Sequence, residues 1–340
     1  MRDWQIFYMV SKRKQGRFLA VLAVITILCA VASCCLGAVS ISPGELWQAL
    51  LGRGERTYVN ILRLVRLPRT CGCLLAGAAL AVSGAVIQGV LNNPLAAPNI
   101  IGVNAGAGLA VAVSCAIAPT AVTIIPLAAF LGALAAVFLV LFISQRAGAA
   151  RITLVLAGVA ISSIFSAGID AVVTFVPDAL NGYSDFRIGG MANLSMGRIT
   201  PAFWVILVAL PVILSLSNDL DILRLGTEQA RSLGLNARGR QLLLLALAAA
   251  LAGAAVSFAG LVGFVGLIVP HVIRRLIGEE SFPLLVGSAL GGAALLTGCD
   301  LASRLIFAPY ELPVGIVLAL GGGPFFIWLL LRQRGGRRHD

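Results

Sequence analysis

Uninterrupted apolar runs of about twenty residues recur along this chain, and they constrain its fold more than any other feature. Phe18 to Val39, Cys71 to Val90, Ala121 to Ile143 and Ile152 to Val176 are of this kind, as are Gln241 to Leu261, Phe282 to Leu305 and Leu312 to Leu331. With 59% hydrophobic and 11% charged residues among 340, no water-soluble fold has an interior large enough to hide so much apolar surface. The chain is therefore read as an all-α polytopic membrane protein. Its runs are continuous and rich in Leu, Ala and Gly, whereas a membrane barrel would alternate over about ten residues. Short connections leave room for about ten crossings in one transmembrane domain, 1–340, with no appended soluble domain.

The formal net charge of +11 does not point to nucleic acid, because Lys and Arg are scattered at the ends of apolar runs, as membrane topology requires. The seven cysteines form no CxxC and lie in or beside apolar runs, so they read as small packing residues, with no metal site. Lys12, Arg13, Lys14 and Arg17 precede an apolar run too long for a signal-peptide core, even though Ala30-Val31-Ala32 resembles a cleavage motif. An uncleaved first helix, with residues 1–17 in the cytoplasm, follows. Ser42-Pro43-Gly44-Glu45 opens a short amphipathic segment on the outer surface. One crossing after a cytoplasmic start, Arg63, Arg66 and Arg69 fall outside, against the usual bias, and must sit at the interface. Either an acidic partner docks on them or they anchor to lipid phosphates.

The helix Cys71 to Val90 carries glycines at 72, 77, 84 and 89, a composition that lets helix backbones approach closely. It ends in Asn92-Asn93-Pro94-Leu95-Ala96-Ala97-Pro98-Asn99, irregular backbone that is tolerated only inside protein or beside water. The glycines that follow, 102 to 108, lack the strand and the Lys-Ser/Thr of a phosphate loop. Ser162, Ser166 and Asp170, four apart, share one helical face that is either a packing seam or a pathway wall, and an intramembrane Asp favours the wall. A mixed outer segment runs from Pro177 to Thr200. Residues 219–240 form a charged island between apolar runs. In it Thr227 can cap a helix, Glu228 suits the first turn, Arg231 suits the other end and Gly234 can close it. Ala230 and Leu233 are expected to share an apolar face fitted to a groove on another protein, and the alternative is a plain connecting loop.

Val262 to His271 returns as a short or broken helix, with His271 an interface residue and Arg274 and Arg275 marking the cytoplasmic side. Asp300 and Arg304, four apart, either pair locally or Arg304 joins Arg66 and Arg69. The basic tail 332–340 is cytoplasmic, consistent with an even number of crossings. An arginine-bearing lead, a small-residue helix and a proline-broken segment occur in each half, a weak sign of the inverted repeats found in transporters.

Arg66-Leu67-Pro68-Arg69, Ala76 to Gln88, Asn93-Pro94-Leu95-Ala96-Ala97-Pro98 and Gly102 to Ala107 closely resemble stretches of the permease family of iron-siderophore, haem and vitamin B12 ABC importers, the type II importers. The likeness continues through Ala230, Leu233-Gly234-Leu235, Gly260 to His271, Asp300, Arg304 and Glu311-Leu312-Pro313-Val314-Gly315, nearly the whole chain. The resemblance implies a ten-helix, non-catalytic subunit in the bacterial or archaeal inner membrane, paired with a second copy. It also implies two cytoplasmic ATPases that bind ATP and Mg, and a periplasmic or lipoprotein binding protein. By the same resemblance Arg66, Arg69 and Arg304 meet glutamates of the binding protein. Glu228, Ala230, Leu233, Gly234 and Leu235 belong to the coupling helix that enters the ATPase. Asn93, Pro94 and Leu95 help close the cytoplasmic gate, and the fifth and tenth helices, with Ser162, Ser166 and Asp170 on the fifth, line the path. Asp185 to Met191 departs from the family, whose members commonly carry a tryptophan there, so the substrate stays open. A rival reading is a secondary transporter driven by an ion gradient through Asp170 and His271. A membrane-embedded enzyme would need convergent polar groups that two histidines and scattered carboxylates do not supply.

Overall fold

The computed structural model describes residues 2–37, 39–148, 151–306 and 310–335, and every regular element among them is a helix. We name the two ends of the bundle by α1 (Arg2–Cys35): it begins at the near end and finishes at the far end. The short α2 (Pro43–Leu50) and α3 (Arg56–Asn60) follow at the far end, and α4 (Leu67–Leu91) returns. Then α5 (Val103–Ile117), α6 (Ile125–Arg146) and α7 (Arg151–Phe175) pass in alternation, and α8 (Ala179–Ile188) lies at the far end. From there α9 (Met196–Ser215) runs back to α10 (Ser217–Arg224) and α11 (Thr227–Ser232) at the near end. The last elements are α12 (Ala237–Ala259), α13 (Val265–Ile277), α14 (Ser281–Leu305) and α15 (Val314–Gly335). Among the described residues, seven helices are long and apolar enough to cross a membrane, and α5, α13 and α15 bring the alternating passes to the expected ten. Of the tail at 332–340, residues 336–340 lie outside the described residues.

The second crossing differs from expectation. Rather than starting at Cys71, it is one continuous helix of 36 residues, Arg56–Leu91, so Arg63, Arg66 and Arg69 lie on it instead of ahead of it. Pro68 would ordinarily interrupt such a helix, because it has no N–H and its ring collides with the carbonyl four residues back. A π-turn over Ile61–Arg66 removes the conflict: the Leu67 N–H bonds to the Leu62 carbonyl, five residues back, and the widened turn accommodates the ring.

The centre of the bundle is built from α4, α12 and α14. Almost all of α4 is buried, and its glycines are what allow it. A Cβ on Gly77 would fall inside the Gly292 carbonyl of α14, and one on Gly84 inside the Gly266 carbonyl of α13. Small residues at these crossings substitute backbone contact for side-chain packing, which is how helices associate where no water is expelled between them. Ser83 adds a hydrogen bond of 2.6 Å to the Ala248 carbonyl of α12. The outer helices instead turn Val24, Leu28, Leu156, Val159, Trp204 and Val208 outward, apolar surface suited to acyl chains.

The breaks between helices follow local chemistry. Asn92 closes α4 in the left-handed region at φ 49°. The Asn93 N–H reaches the Gln88 carbonyl at 3.0 Å and the Asn92 N–H reaches Gly89 at 3.2 Å, so the last carbonyls are satisfied. The Asn93 Oδ1 accepts the Leu95 N–H at 3.0 Å, which folds the loop back on itself. At the far end α2 starts with a complete capping box between Ser42 and Glu45. The two hydrogen bonds from Ser42 hold the Glu45 carboxyl below its ordinary range.

Candidate functional sites

Three arginines converge at the far end. Arg66 donates to the Cys34 and Cys35 carbonyls at 2.6 and 2.8 Å, and also to the Val39 carbonyl. It thereby covers the carbonyls left open where α1 ends, a place that favours positive charge. The Nε of Arg69 lies 3.0 Å from both oxygens of Asp300, and its Nη1 is 2.7 Å from Glu311. Arg304 meets the same Asp300 at 3.2 Å, one turn along α14, and donates to the Ser33 hydroxyl at 2.7 Å. The two pairings expected of Arg304 are thus one arrangement, since Asp300 joins it to Arg69.

These arginines do not stand free at an interface. Arg66, Arg69 and Arg304 are 4%, 4% and 7% exposed and Asp300 is fully buried, whereas the Glu311 side chain is 44% exposed. Among the described residues, three positive and two negative charges leave the cluster with a net charge of +1. Any anion approaching from the far end meets Glu311 as the competitor for Arg69. Sequence reasoning quoted Glu311 without giving it a part and passed over Ser33. Partners 242 and 271 positions away leave no periodic signal in a sequence.

At the near end, the charged island is helical over α11. Its cap is Gly226 at φ 114°, with Thr227 as the first helical residue, which corrects the expected Thr227 cap. Gly234 closes it at φ 80°: the Gly234 N–H reaches the Arg231 carbonyl at 2.9 Å and the Leu235 N–H reaches Ala230 at 3.0 Å. Ala230 and Leu233 do not share a face. Ala230 is fully buried against its own chain, while Leu233, already past the last helical turn, is 63% exposed. Glu228 and Gly234 are exposed and Leu235 is half-buried. Leu225, 61% exposed before α11, is the second apolar group presented here, and the sequence reading missed it. The segment is held from below by an Arg240–Asp219 pair at 3.2 Å and by Arg151, which donates to the Leu223 carbonyl at 3.1 Å.

Also towards the near end, Asn93 and Pro94 are exposed and Leu95 is half-buried. Pro94 and Leu95 face Leu267, Ile268 and His271 of α13 and Phe326 of α15 across a small apolar gap. His271, expected at an interface, is buried there, and its Nε2 has no hydrogen-bond partner among the described residues. Gln88 ties the same region together, with hydrogen bonds to the Leu267 carbonyl at 3.2 Å and from Arg274 at 3.0 Å. On α7, Ser166 and Asp170 are exposed, whereas the Ser162 hydroxyl is buried beside Gly102. Asp170 and His271 stand towards opposite ends of the bundle. A cavity of 740 Å³ opens at the far end under α8, with Asp178, Asn181, Asp185 and Arg198 in its wall. The 185–191 segment contributes Asp185, Phe186 and Ile188 to Gly190 to that wall.

Comparison with known proteins places this architecture. Residues 25–332 match the FecCD transport family. The Fe(3+)-citrate import system permease protein YfmE of Bacillus subtilis is 37% identical over 324 residues, covering 94% of this chain and 97% of that protein. The hemin transport system permease protein HmuU of Yersinia pestis is 37% identical over 334 residues, covering 96% and 98%. A solved metal-chelate type ABC transporter in an inward-facing conformation superposes with a TM-score of 0.84 at 28% identity, over 93% of this chain and 99% of that one. The fold and these matches define a multi-pass membrane permease of the ABC importer class. The chain belongs to the FecCD transport family.

Proposed function

We propose that this permease carries a ferric chelate, of the citrate, siderophore or haem kind, into the cell by ATP-driven alternating access. Two copies of the chain would enclose the path. Two ATPase subunits that bind ATP and Mg would dock at the near end, and a substrate-binding protein at the far end. The near end is cytoplasmic in this reading, since Lys12, Arg13, Lys14, Arg17, Arg146, Arg151, Arg238, Arg240, Arg274 and Arg275 gather there. The start of α1 and the end of α15 then both lie on the cytoplasmic side.

The observation that carries the proposal is α11. It is a short helix closed at both ends by glycines with positive φ, and it presents Glu228, Leu233, Gly234 and the preceding Leu225 on an exposed surface. A rigid, small, mixed apolar and charged element fits a cleft on a soluble partner. Nucleotide closure of the ATPase pair would displace α11. The Asn93 to Leu95 loop would then open or close the near end, and α7, with Ser162, Ser166 and Asp170, would line the cavity with α15. At the far end Arg66, Arg69 and Arg304 would receive carboxylates of the binding protein, in exchange for Glu311 in the case of Arg69. This chain performs no covalent step; hydrolysis belongs to the ATPase.

The test is co-purification of the gently solubilised chain with the ATPase encoded beside it. Equal recovery of the two, lost in Gly234→Arg, is expected. Recovery unaffected by Gly234→Arg would remove α11 from the docking surface.

A further inference from the structure

A polar cluster at the near end has no part in the sites above. Asp221 of α10 reaches across to the first residue of α14, where its carboxylate accepts the Ser281 N–H at 3.1 Å and the Ser281 hydroxyl at 2.6 Å. The first N–H groups of a helix lack intrahelical partners and carry partial positive charge, so a carboxylate supplied by another helix fixes that end as a cap would. The residue in the cap position of α14 itself, Glu280, makes no such side-chain bond. One turn further along α10, Arg224 pairs with Glu279 at 2.8 Å and donates to the Glu279 carbonyl. A single turn of α10 therefore grips the residues on both sides of the α14 start, and Ser281 is fully buried in the grip.

What α10 grips leads to the opposite end of the molecule. Helix α14 is 25 residues long, about 37 Å at the rise of an α-helix, and its last turns carry Asp300 and Arg304. It is locked to α4 by the backbone contact of Gly292 with Gly77, and α4 carries Arg69, the other partner of Asp300. The near end of α4 also meets α10, where Leu220 packs on Gly89. In the other direction, only Leu225 and Gly226 separate α10 from α11. A continuous set of contacts thus runs from α11 through α10 to a pair of helices with direct backbone contact, and from them to the far-end arginines.

We propose that Asp221 and Arg224 are positioning residues that clasp α14, making the α4–α14 pair a strut between the ATPase contact and the arginine cluster. The proposal rests on reading α11 and the arginine cluster as docking elements. It assigns the coupling between them to a specific polar contact and predicts that binding-protein arrival and ATP hydrolysis become independent when that contact is cut.

The experiment uses the whole complex in nanodiscs, with ATP hydrolysis measured with and without substrate-loaded binding protein. In Asp221→Ala we expect co-purification with the ATPase and a basal rate within about twofold of the parent, with stimulation by the binding protein reduced at least about fivefold. Ser281→Ala, which removes only the hydroxyl contact, is expected to lower stimulation in the same direction and serves if Asp221→Ala fails to accumulate. The double variant should lose little more than Asp221→Ala alone, because both act through one contact. Full stimulation in both single variants, or losses that multiply in the double variant, would overturn the strut while leaving the docking assignments in place. A parent chain that does not co-purify with its ATPase would instead remove the docking reading and the strut with it.

Discussion

Gly234 closes α11 at φ 80°, and among the described residues no atom outside its own neighbours lies within 4 Å of where a Cβ would stand. Alanine at 234 therefore meets no steric obstacle in this chain, and its whole effect comes from holding an L-residue in the left-handed region, about 1–2 kcal/mol. That amount changes the ratio of ordered to frayed α11 by a factor of about 5–30. Asparagine tolerates the conformation better and should lose less. Hydrogen exchange of the chain in nanodiscs reads this directly, through protection of the Gly234 and Leu235 amides bonded to Arg231 and Ala230. The expected order of protection is parent, Gly234→Asn, then Gly234→Ala. Arginine carries the same backbone cost but also fills space that is open in the free chain. If that space belongs to the ATPase, Gly234→Arg should reduce co-purification well beyond Gly234→Ala. Unchanged exchange in Gly234→Ala would refute the conformational argument, and equal co-purification of the Ala and Arg variants would refute the approach of a partner to Gly234.

Other consequences concern the remaining parts of the fold. Asp300→Asn removes the carboxylate shared by two buried arginines and should destabilise the permease by about 3–5 kcal/mol, measured by thermal unfolding in detergent; an unchanged midpoint would show that Glu311 and Ser33 suffice. Glu311→Gln leaves the Asp300 pair intact and frees Arg69 outward, so binding-protein affinity at low salt should rise by up to about fivefold, with the gain fading as salt is added. Gly77→Val forces α4 and α14 apart and should abolish stable expression, a result checked by fluorescence-detected gel filtration. Glu45 has a lowered folded-state pKa, so its capping contribution to α2 is fully present above the unfolded carboxylate pKa. That contribution is lost as pH falls through the lowered folded value, and exchange of the Ser42 amide should accelerate only there.

Much of this architecture was readable from the apolar runs alone. Continuous runs fix crossings because lipid offers no partners for backbone groups, and residues 92–99 announce a break through their prolines and asparagines. The start of the second crossing was not readable, because Pro68 normally ends a helix and only the π-turn at Ile61–Arg66 carries the chain past it. Likewise, spacing placed Ala230 and Leu233 on one face, but the helix ends between them, so one is buried and the other exposed. The arginine cluster was half legible: Asp300 and Arg304 are four apart in sequence, whereas Arg69 finds Glu311 and Arg304 finds Ser33 only through the packing of α1, α4 and α14. His271 looked like an interface residue because arginines follow it, and its burial arises from the return of α13 against α4 and α15.

The central claim is that this chain moves a ferric chelate only as part of an ATP-driven complex, and reconstituted transport tests it most directly. Proteoliposomes containing the permease and its ATPase, loaded with ATP, would be given binding protein and radiolabelled ferric citrate outside. The account expects uptake that needs both ATP and binding protein and is unaffected when ion gradients are collapsed. Uptake by the permease alone under an imposed ion gradient, abolished by Asp170→Asn, would contradict it.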